Sequence, residues 1–256
     1  MLTVENLTTG YKSGKKTTPV SQKISFTLKK GDILGIIGRN GSGKSTLLKT
    51  LAQLIPKLEG SINYDGKSLA EFSSSEQSQL LSIVTTTRDF SGILTGFDIL
   101  RLGRHPHNGW YGKLNENDKN ILKEVIQKIG MENLINQRVT KLSDGQLQKI
   151  LIGRAMVQQT DFILLDEPTN HLDLHHKAEV FRLLKTTALE QNKTILFSTH
   201  EINHALQLCT HILLLNEGEA YFGSPKELSN KGVMKKLFPK ELVAFDAENN
   251  QFKICY

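Results

Sequence analysis

A glycine-rich segment in the first fifth of the chain has the residue types of a phosphate-binding loop. The segment GRNGSGKS, residues 38–45, matches the pattern G-x-x-x-x-G-K-[ST]. Glycines let the backbone approach phosphate oxygens closely, and successive N–H groups at a helix N-terminus supply positive potential. We therefore predict a nucleoside-triphosphate site, in which Lys44 contacts the β- and γ-phosphates and the Ser45 hydroxyl binds Mg²⁺. The predicted nucleotide-binding residues of this loop are Gly38, Arg39, Asn40, Gly41, Ser42, Gly43, Lys44, Ser45 and Thr46.

Two adjacent acids and one histidine follow apolar runs further along the chain. Asp166 and Glu167 come directly after FILL, where a buried strand of a parallel sheet would end. Asp166 could hold Mg²⁺ directly or through water, and Glu167 could take a proton from, or orient, the water that attacks the γ-phosphate. His200 follows the run TILFST and could contact the γ-phosphate in the same crevice. The alternatives are two solvated acids at a turn and a structural histidine.

The segments around these residues predict alternating strands and helices. The compact runs at residues 33–37, 162–166 and 194–199 are typical of strands buried on both faces, and the last two follow helix-like segments. This alternation indicates a parallel sheet with crossover helices. The opening segments LTVENLTTGY and KISFTLKK alternate apolar and polar residues, as antiparallel strands do. HILLLNEGEAYFGSP predicts a strand, a turn at Glu217–Gly218 and a second strand.

The middle and the end of the chain differ from this pattern. Residues 87–155 contain few strand runs, and NENDKNILKEVIQKIGMENL has helical spacing with Asn115 as the N-cap. We predict a mainly helical lobe inserted into a core formed by residues 1–86 and 156–225. Residues 226–256 are polar with scattered apolar positions and are predicted to form a small C-terminal appendage.

Composition limits the classes of function. The 256 residues are 38% hydrophobic and carry a net charge of +6 that is spread along the chain, which argues against a nucleic-acid surface. The two cysteines have no metal-ligand spacing and fit a reducing compartment. The N-terminal residues lack a signal pattern, and the longest apolar runs are far shorter than the roughly 20 residues that cross a bilayer. We expect a cytoplasmic protein that reaches a membrane only through a partner.

A second segment, KLSDGQLQK, contains a serine, a glycine and amide side chains that could contact an anion. Together with the motifs above, it resembles a known family. The phosphate loop, LSDGQ at residues 142–146, FILLDEPT, NHLD at 170–173 and STHE occur in the order and at the separations typical of the nucleotide-binding subunits of ABC transporters. The resemblance covers about residues 1–225. It implies an α/β fold, with a P-loop NTPase core of mainly parallel sheet, an N-terminal antiparallel β subdomain and an inserted helical subdomain. We refer to residues 142–146 as the signature segment and to residues 170–173 as the D-loop.

The resemblance also implies how the second anion contact is used. In this family two subunits face head to tail, and each ATP lies between one phosphate loop and the partner's signature segment. Ser143 and Gly145 would donate to the γ-phosphate held by the other protomer, next to a helix N-terminus near Gln146. Asp173 would position the D-loop across the interface. Tyr11 would stack on adenine, with a surface tyrosine as the alternative.

The partners and location implied by the resemblance follow from this arrangement. The expected assembly is a homodimer of ATPase subunits bound to transmembrane permease subunits and, through them, to a substrate-binding protein. ATP and Mg²⁺ are the expected cofactors, and no nucleic acid is expected. The expected location is the cytoplasmic face of the cell membrane, as a peripheral subunit.

Two departures from the family pattern affect the site. The third signature residue is Asp144, where glycine is commonest, and a carboxylate near a triphosphate is unfavourable unless it points away. We therefore expect its side chain to face outward. Thr86 lies nearest the position where the family usually has a glutamine. We predict that its hydroxyl binds Mg²⁺ or a water molecule, although the threonine side chain is shorter than that of glutamine.

A further segment indicates a subfamily. Residues 103–106, GRHP, with Gly109 and Trp110 after them, resemble ATPases of importers for ferric siderophores, haem or cobalamin. Trp110 and Tyr111 would then face a partner, and local packing of a long loop is the alternative. We predict an importer ATPase for an iron-siderophore or a haem- or cobalamin-type substrate. The alternatives are a soluble ABC ATPase that is not coupled to transport, and a nucleotide sensor without turnover, against which Glu167 and His200 argue.

Overall fold

The computed structural model describes residues 1–14, 16–86, 92–108, 112–239 and 241–255. The strands are β1 (Leu2–Ser13), β2 (Lys16–Leu28), β3 (Ile33–Gly38), β4 (Glu59–Tyr64), β5 (Lys67–Ser68), β6 (Leu81–Val84), β7 (Phe162–Leu165), β8 (Thr194–Ser198), β9 (His211–Asn216), β10 (Glu219–Gly223), β11 (Val243–Asp246) and β12 (Gln251–Ile254). The helices are α1 (Lys44–Leu51), α2 (Ser74–Leu80), α3 (Gly96–Leu102), α4 (Glu116–Lys128), α5 (Asp144–Val157), α6 (Leu174–Gln191), α7 (Ile202–Leu208) and α8 (Pro225–Asn230). No helix within the described ranges is long and apolar enough to cross a membrane.

The central sheet is six-stranded, in the order β10-β9-β3-β8-β7-β6. Its strands pair in parallel except for β10, which forms an antiparallel hairpin with β9. Every residue of β3, β7 and β8 is buried, as their continuous apolar runs predicted. Because these strands are parallel, their carboxyl ends meet at one edge, where ligand chemistry gathers in such sheets. The predicted mainly parallel α/β core is confirmed.

An antiparallel sheet in the order β2-β1-β4-β5 covers one face of this core. Its apolar residues share a hydrophobic cluster with α1 and with the central strands, and Tyr64 packs edge-on against Phe162 with ring centroids 4.9 Å apart. The predicted antiparallel N-terminal subdomain is therefore confirmed. The sequence placed the start of the second strand at Lys23, whereas β2 begins at Lys16; β4, β5 and β6 were not predicted.

Helices α3, α4 and α5 pack together as the helical lobe. Asn115 is the N-cap of α4 and accepts a hydrogen bond from the Asp118 backbone N–H at 2.8 Å, as predicted. The buried Arg104 guanidinium donates to Asp118 at 2.8 Å and to the carbonyl of Val157 at 2.7 Å, which joins the ends of the three helices. Arg104 of the GRHP segment therefore packs within the helical lobe.

The appendage after β10 consists of α8, a short 3-10 turn and the β11–β12 hairpin. Asn203 on α7 holds the hairpin, because its side chain donates to the carbonyl of Phe252 at 3.1 Å and accepts from the N–H of Phe252 at 2.8 Å. Phe238 and Phe245 pack against the ring of Phe252. The C-terminal hairpin is thus attached to the helix that follows His200.

Candidate functional site

The phosphate loop lies between β3 and α1. Gly41 and Gly43 have φ angles of 78° and 97°, in the left-handed region that glycine adopts without strain. The Ser21 hydroxyl donates to the Ser42 carbonyl at 2.9 Å, and a Cβ added at Gly43 would lie 2.6 Å from that hydroxyl oxygen. Only glycine fits this close contact between the loop and β2, so the loop is held in shape from the N-terminal sheet.

The side chain of Lys44 is buried across the loop. Its ammonium donates to the carbonyls of Gly38 and Arg39 at 3.0 and 3.2 Å. Burial lowers the pKa of Lys44, and the nearby carboxylates of Glu167 and Asp166 oppose that shift. The site therefore keeps a cation close to two acids at the carboxyl ends of the strands.

Asp166, directly after β7, accepts two hydroxyl hydrogen bonds. Ser45 donates to Asp166 Oδ1 at 2.8 Å, and the buried Ser198 donates to the same oxygen at 2.7 Å. The predicted Mg²⁺ residues Ser45 and Asp166 are thus adjacent, and they offer the oxygen ligands that Mg²⁺ prefers.

The backbone of Glu167, the next residue, is left-handed, with φ at 48°. Its N–H donates to the Ser198 hydroxyl at 2.8 Å, which fixes the backbone. His200 Nε2 lies 2.6 Å from Glu167 Oε1, and Asn170 donates to Oε2 at 3.2 Å. Because a carboxylate only accepts, Nε2 carries the proton in this contact. The two predicted catalytic side chains are therefore in contact.

These residues open onto one cleft of about 690 Å³. Tyr11 forms one side of it, and its hydroxyl lies 3.2 Å from that of Thr46. The lining residues are Tyr11, Val20, Asn40, Gly41, Gly43, Lys44, Ser45, Thr46, Glu167, Asn170 and His200. The volume is within the range of small-molecule sites, roughly 300–1,000 Å³. The cleft therefore brings together the phosphate loop, Glu167 and His200, and Asp166 is joined to them through its hydrogen bond from Ser45.

The residues of the cleft fit a nucleoside triphosphate with its metal ion. The Lys44 ammonium and the Ser45 hydroxyl line the cleft, where they can contact phosphate oxygens and a metal ion. Backbone N–H groups at the start of α1 and the Lys44 ammonium supply positive potential, and Glu167 and His200 line the same cleft. This arrangement can bind a triphosphate and activate a water molecule at its end.

The signature segment lies elsewhere, at the N-terminus of α5. Ser143 is the N-cap and accepts from the Gln146 N–H at 3.2 Å, while the Gln146 side chain accepts from the Ser143 N–H at 3.0 Å. Gly145 is buried and Asp144 is exposed, and the outward direction of the Asp144 side chain stays a prediction. Among the described residues that line the cleft, none comes from the signature segment.

Two further predicted residues also lie outside the cleft. Asp173 is the N-cap of α6 and accepts from the His176 N–H at 2.9 Å. That backbone hydrogen bond and the His176 side chain lower the pKa of Asp173. Thr86 is exposed, two residues beyond β6, and does not line the cleft, so its metal role stays a prediction. Gly109, Trp110 and Tyr111, the predicted partner-facing segment, lie outside the described residues.

Val20, which lines the cleft, was not predicted, and neither were three residues that form hydrogen bonds at the site. Ser198 holds both acids, Asn170 contacts Glu167, and Ser21 holds the phosphate loop. The sequence could have indicated Ser198 and Asn170, because they are the first residues of the STHE segment and of the D-loop. Ser21 carries no local signal, since its partner lies 21 residues away.

The fold and the cleft define a P-loop nucleoside triphosphatase. The sequence model described as "ABC transporter" matches residues 21–170, and the chain belongs to that family as an ATP-binding, ATP-hydrolysing subunit. The iron(3+)-hydroxamate import ATP-binding protein FhuC of Bacillus subtilis is 32% identical over 238 residues, which cover 93% of this chain and 87% of the relative.

Two solved structures are similar over most of the chain. One is an inward-facing conformation of an ABC transporter classed as metal-chelate type, with a TM-score of 0.79, 31% identity, and coverage of 98% of this chain and 94% of that one. The other is the dimeric, post-hydrolysis ATP-binding cassette MJ0796 with ADP and Pi, with a TM-score of 0.75, 26% identity, and coverage of 88% and 98%.

Proposed function

We propose that two copies of this chain bind two ATP molecules between them, each held by one phosphate loop and the partner's signature segment. The observation that carries this proposal is the separation of the parts. One chain's cleft contains the phosphate loop, Glu167 and His200, but its own signature segment is outside the lining. The signature segment nevertheless presents a capped helix N-terminus, which favours an anion. The dimeric arrangement of the MJ0796 cassette supports this assembly.

Within each cleft, different residues bind the nucleotide, hold the metal ion and activate the attacking water. Lys44 and the loop N–H groups bind the phosphates, and Tyr11 is placed to contact the base. Ser45 and Asp166 would hold Mg²⁺, which when bound neutralises charge on the phosphate oxygens. Glu167 takes a proton from the attacking water, and His200, 2.6 Å away, orients that carboxylate and contacts the γ-phosphate. Replacement of ATP by ADP then favours the open state, which supplies the energy for motion elsewhere.

We infer that this motion serves import of a ferric siderophore or a similar metal chelate. The names of FhuC and of the metal-chelate type transporter support this substrate class. The chain would act at the cytoplasmic face of the membrane, bound to a separate permease that receives cargo from a substrate-binding protein.

A groove between the core and the helical lobe is the proposed contact for the permease. It has a volume of about 350 Å³ and takes residues from both units. Leu54 from the core and Leu102 from the lobe line it, and these large apolar side chains are 57% and 48% exposed. Exposed apolar side chains grouped at a groove mark an interaction surface. A contact that joins both units would transmit their relative motion to the permease.

Two variants test the shared site. Glu167→Gln should bind ATP normally but lose turnover by about 10²–10⁴-fold, and with ATP and Mg²⁺ it should form dimers in light scattering. Adding Ser143→Arg should prevent those dimers, because the side chain would fill the phosphate contact, while ATP binding to the monomer persists. Lys141→Arg is the matched control, since it leaves the capped turn intact. ATP-independent pairing, or dimers that survive Ser143→Arg, would reject the proposal.

Uptake measurements test the cargo and the groove. Cells carrying Glu167→Gln should lose uptake of ⁵⁵Fe given as ferric hydroxamate or catecholate chelates. Leu54→Asp should reduce that uptake while leaving the ATPase activity of the isolated subunit unchanged. Undiminished chelate uptake in Glu167→Gln cells would reject the substrate class and would favour an ABC ATPase with another role.

A further inference from the structure

The first turns of α5 and α6 are in contact, between Gly145 of the signature segment and His176, three residues after the D-loop. A Cβ added at Gly145 would lie 2.5 Å from Cδ2 and 2.7 Å from Cγ of His176. Real Cβ atoms do not approach so closely, so the imidazole ring occupies the space that a side chain at position 145 would need. The contact involves the second residue of α5 and the third of α6.

The ring of His176 is held in place by Asp173. Its Nδ1 lies 2.9 Å from both carboxylate oxygens, and its backbone N–H donates to one of them, also at 2.9 Å. Nδ1 must donate in this contact, because the carboxylate only accepts. One side chain therefore links the capping residue of α6 to the backbone of the signature helix.

We infer that His176 is a positioning residue that holds the signature segment and the D-loop as one unit for binding the partner protomer's nucleotide. This inference rests on the proposed shared site. Position 145 then requires glycine for two reasons. A phosphate bound by the partner must approach the backbone closely, and the ring of His176 in the same chain fills the space of a Cβ. Shape complementarity of this kind fixes orientation, because packed neighbours deform little.

The neighbouring histidine has none of these contacts and provides a matched control. The His175 side chain is 79% exposed, against 30% for His176, and its nearest carboxylate is Glu179 at 3.9 Å. Its ring lies at 79° to the ring of His176, with centroids 5.7 Å apart. Both residues are histidines in the first turn of α6, and His176 is the one that contacts Gly145 and Asp173.

The first experiment measures ATP-driven dimerisation in the Glu167→Gln background. His176→Ala should raise the ATP concentration for half-maximal dimer formation about tenfold, with unchanged ATP affinity of the monomer. His175→Ala should change it by less than about twofold. His176→Asn, which can still donate to Asp173, should recover part of the loss. An equal effect of His175→Ala and His176→Ala, or no effect of either, would overturn the inference.

The second experiment exchanges volume across the contact. Gly145→Ala should lower the urea midpoint of unfolding, and combining it with His176→Ala should recover at least about half of that loss, because the clash within the chain is removed. Failure of the second change to recover any stability would show that the ring of His176 does not restrict position 145, and would overturn the inference.

The outcomes separate this inference from the proposed function. A Glu167→Gln parent that stays monomeric with ATP and Mg²⁺ refutes the shared site itself. A parent that dimerises normally, with a His176→Ala variant indistinguishable from it, refutes only the role of His176.

Discussion

Replacement of Ser198 by alanine removes one hydroxyl that two acidic residues share. The hydroxyl donates to Asp166 Oδ1 at 2.7 Å and accepts from the Glu167 N–H at 2.8 Å. Alanine can do neither, and Ser198 is fully buried, so water does not reach the position easily. The left-handed backbone at Glu167 would lose the contact that holds it.

The expected magnitude follows from these two contacts. A hydrogen bond to a charged group contributes about 1.5–3 kcal/mol, and a buried donor left unpaired costs about 1–3 kcal/mol. Since small shifts recover part of each, the free energy of unfolding should fall by about 2–4 kcal/mol. Loosening Glu167 should lower kcat for ATP hydrolysis by about 10–100-fold. The KM for ATP should change by less than about threefold, because the phosphate loop and Lys44 are untouched.

Urea unfolding and steady-state ATP hydrolysis measure both effects, with Ser82→Ala as control. Ser82 on β6 is also buried, and it accepts from the Thr160 hydroxyl at 3.0 Å, away from the acids. Its loss should cost about 1 kcal/mol of stability and leave kcat unchanged. Normal kcat in a destabilised Ser198→Ala variant would refute the positioning of Glu167 by Ser198, and so would an equal loss of kcat in Ser82→Ala.

Two further predictions concern the helical lobe and the C-terminal hairpin. Arg104→Leu should lower the free energy of unfolding by about 3–5 kcal/mol, because the buried Asp118 carboxylate loses its cation. Lys119→Ala, at an exposed ion pair, should change the free energy of unfolding by less than about 0.5 kcal/mol, and similar urea midpoints for the two variants would contradict this prediction. Asn203→Ala should speed hydrogen exchange of the Phe252 amide, which bonds to the Asn203 side chain, and unchanged exchange by NMR would show that packing alone holds the hairpin.

The strength of local patterns decided which elements the sequence predicts. The strands β3, β7 and β8 are continuous apolar runs, and α4 has a capping residue with helical spacing, so all four were predicted. In contrast, β4 (EGSINY) is mostly polar, and β6 has four residues directly after α2, so neither has enough length or alternation to be recognised. These strands form because they pair with β1 and β7, which are distant in the sequence, so no local pattern indicates them.

The site shows the same division between local signals and spatial arrangement. The sequence indicates that the phosphate loop, the acids and His200 each follow a strand, but not which strands are neighbours. In chain order the strands are β3, β7 and β8, whereas in the sheet β8 lies between the other two. Pairing of Ile36 with Ser198, and of Leu165 with Phe197, sets the register at this edge.

This strand order explains why Ser198 and His200 have the contacts they have. Ser198 ends β8 next to the end of β7, so its hydroxyl can reach Asp166 and the backbone of Glu167, which follow β7. His200, two residues further, lies in the cleft between the phosphate loop and the acids and reaches Glu167. If β8 were at an outer position, with β7 next to β3, a residue at its end could not be adjacent both to the phosphate loop after β3 and to the acids after β7. The middle position of β8 therefore allows one strand end to hold the acids and present the histidine to the same cleft.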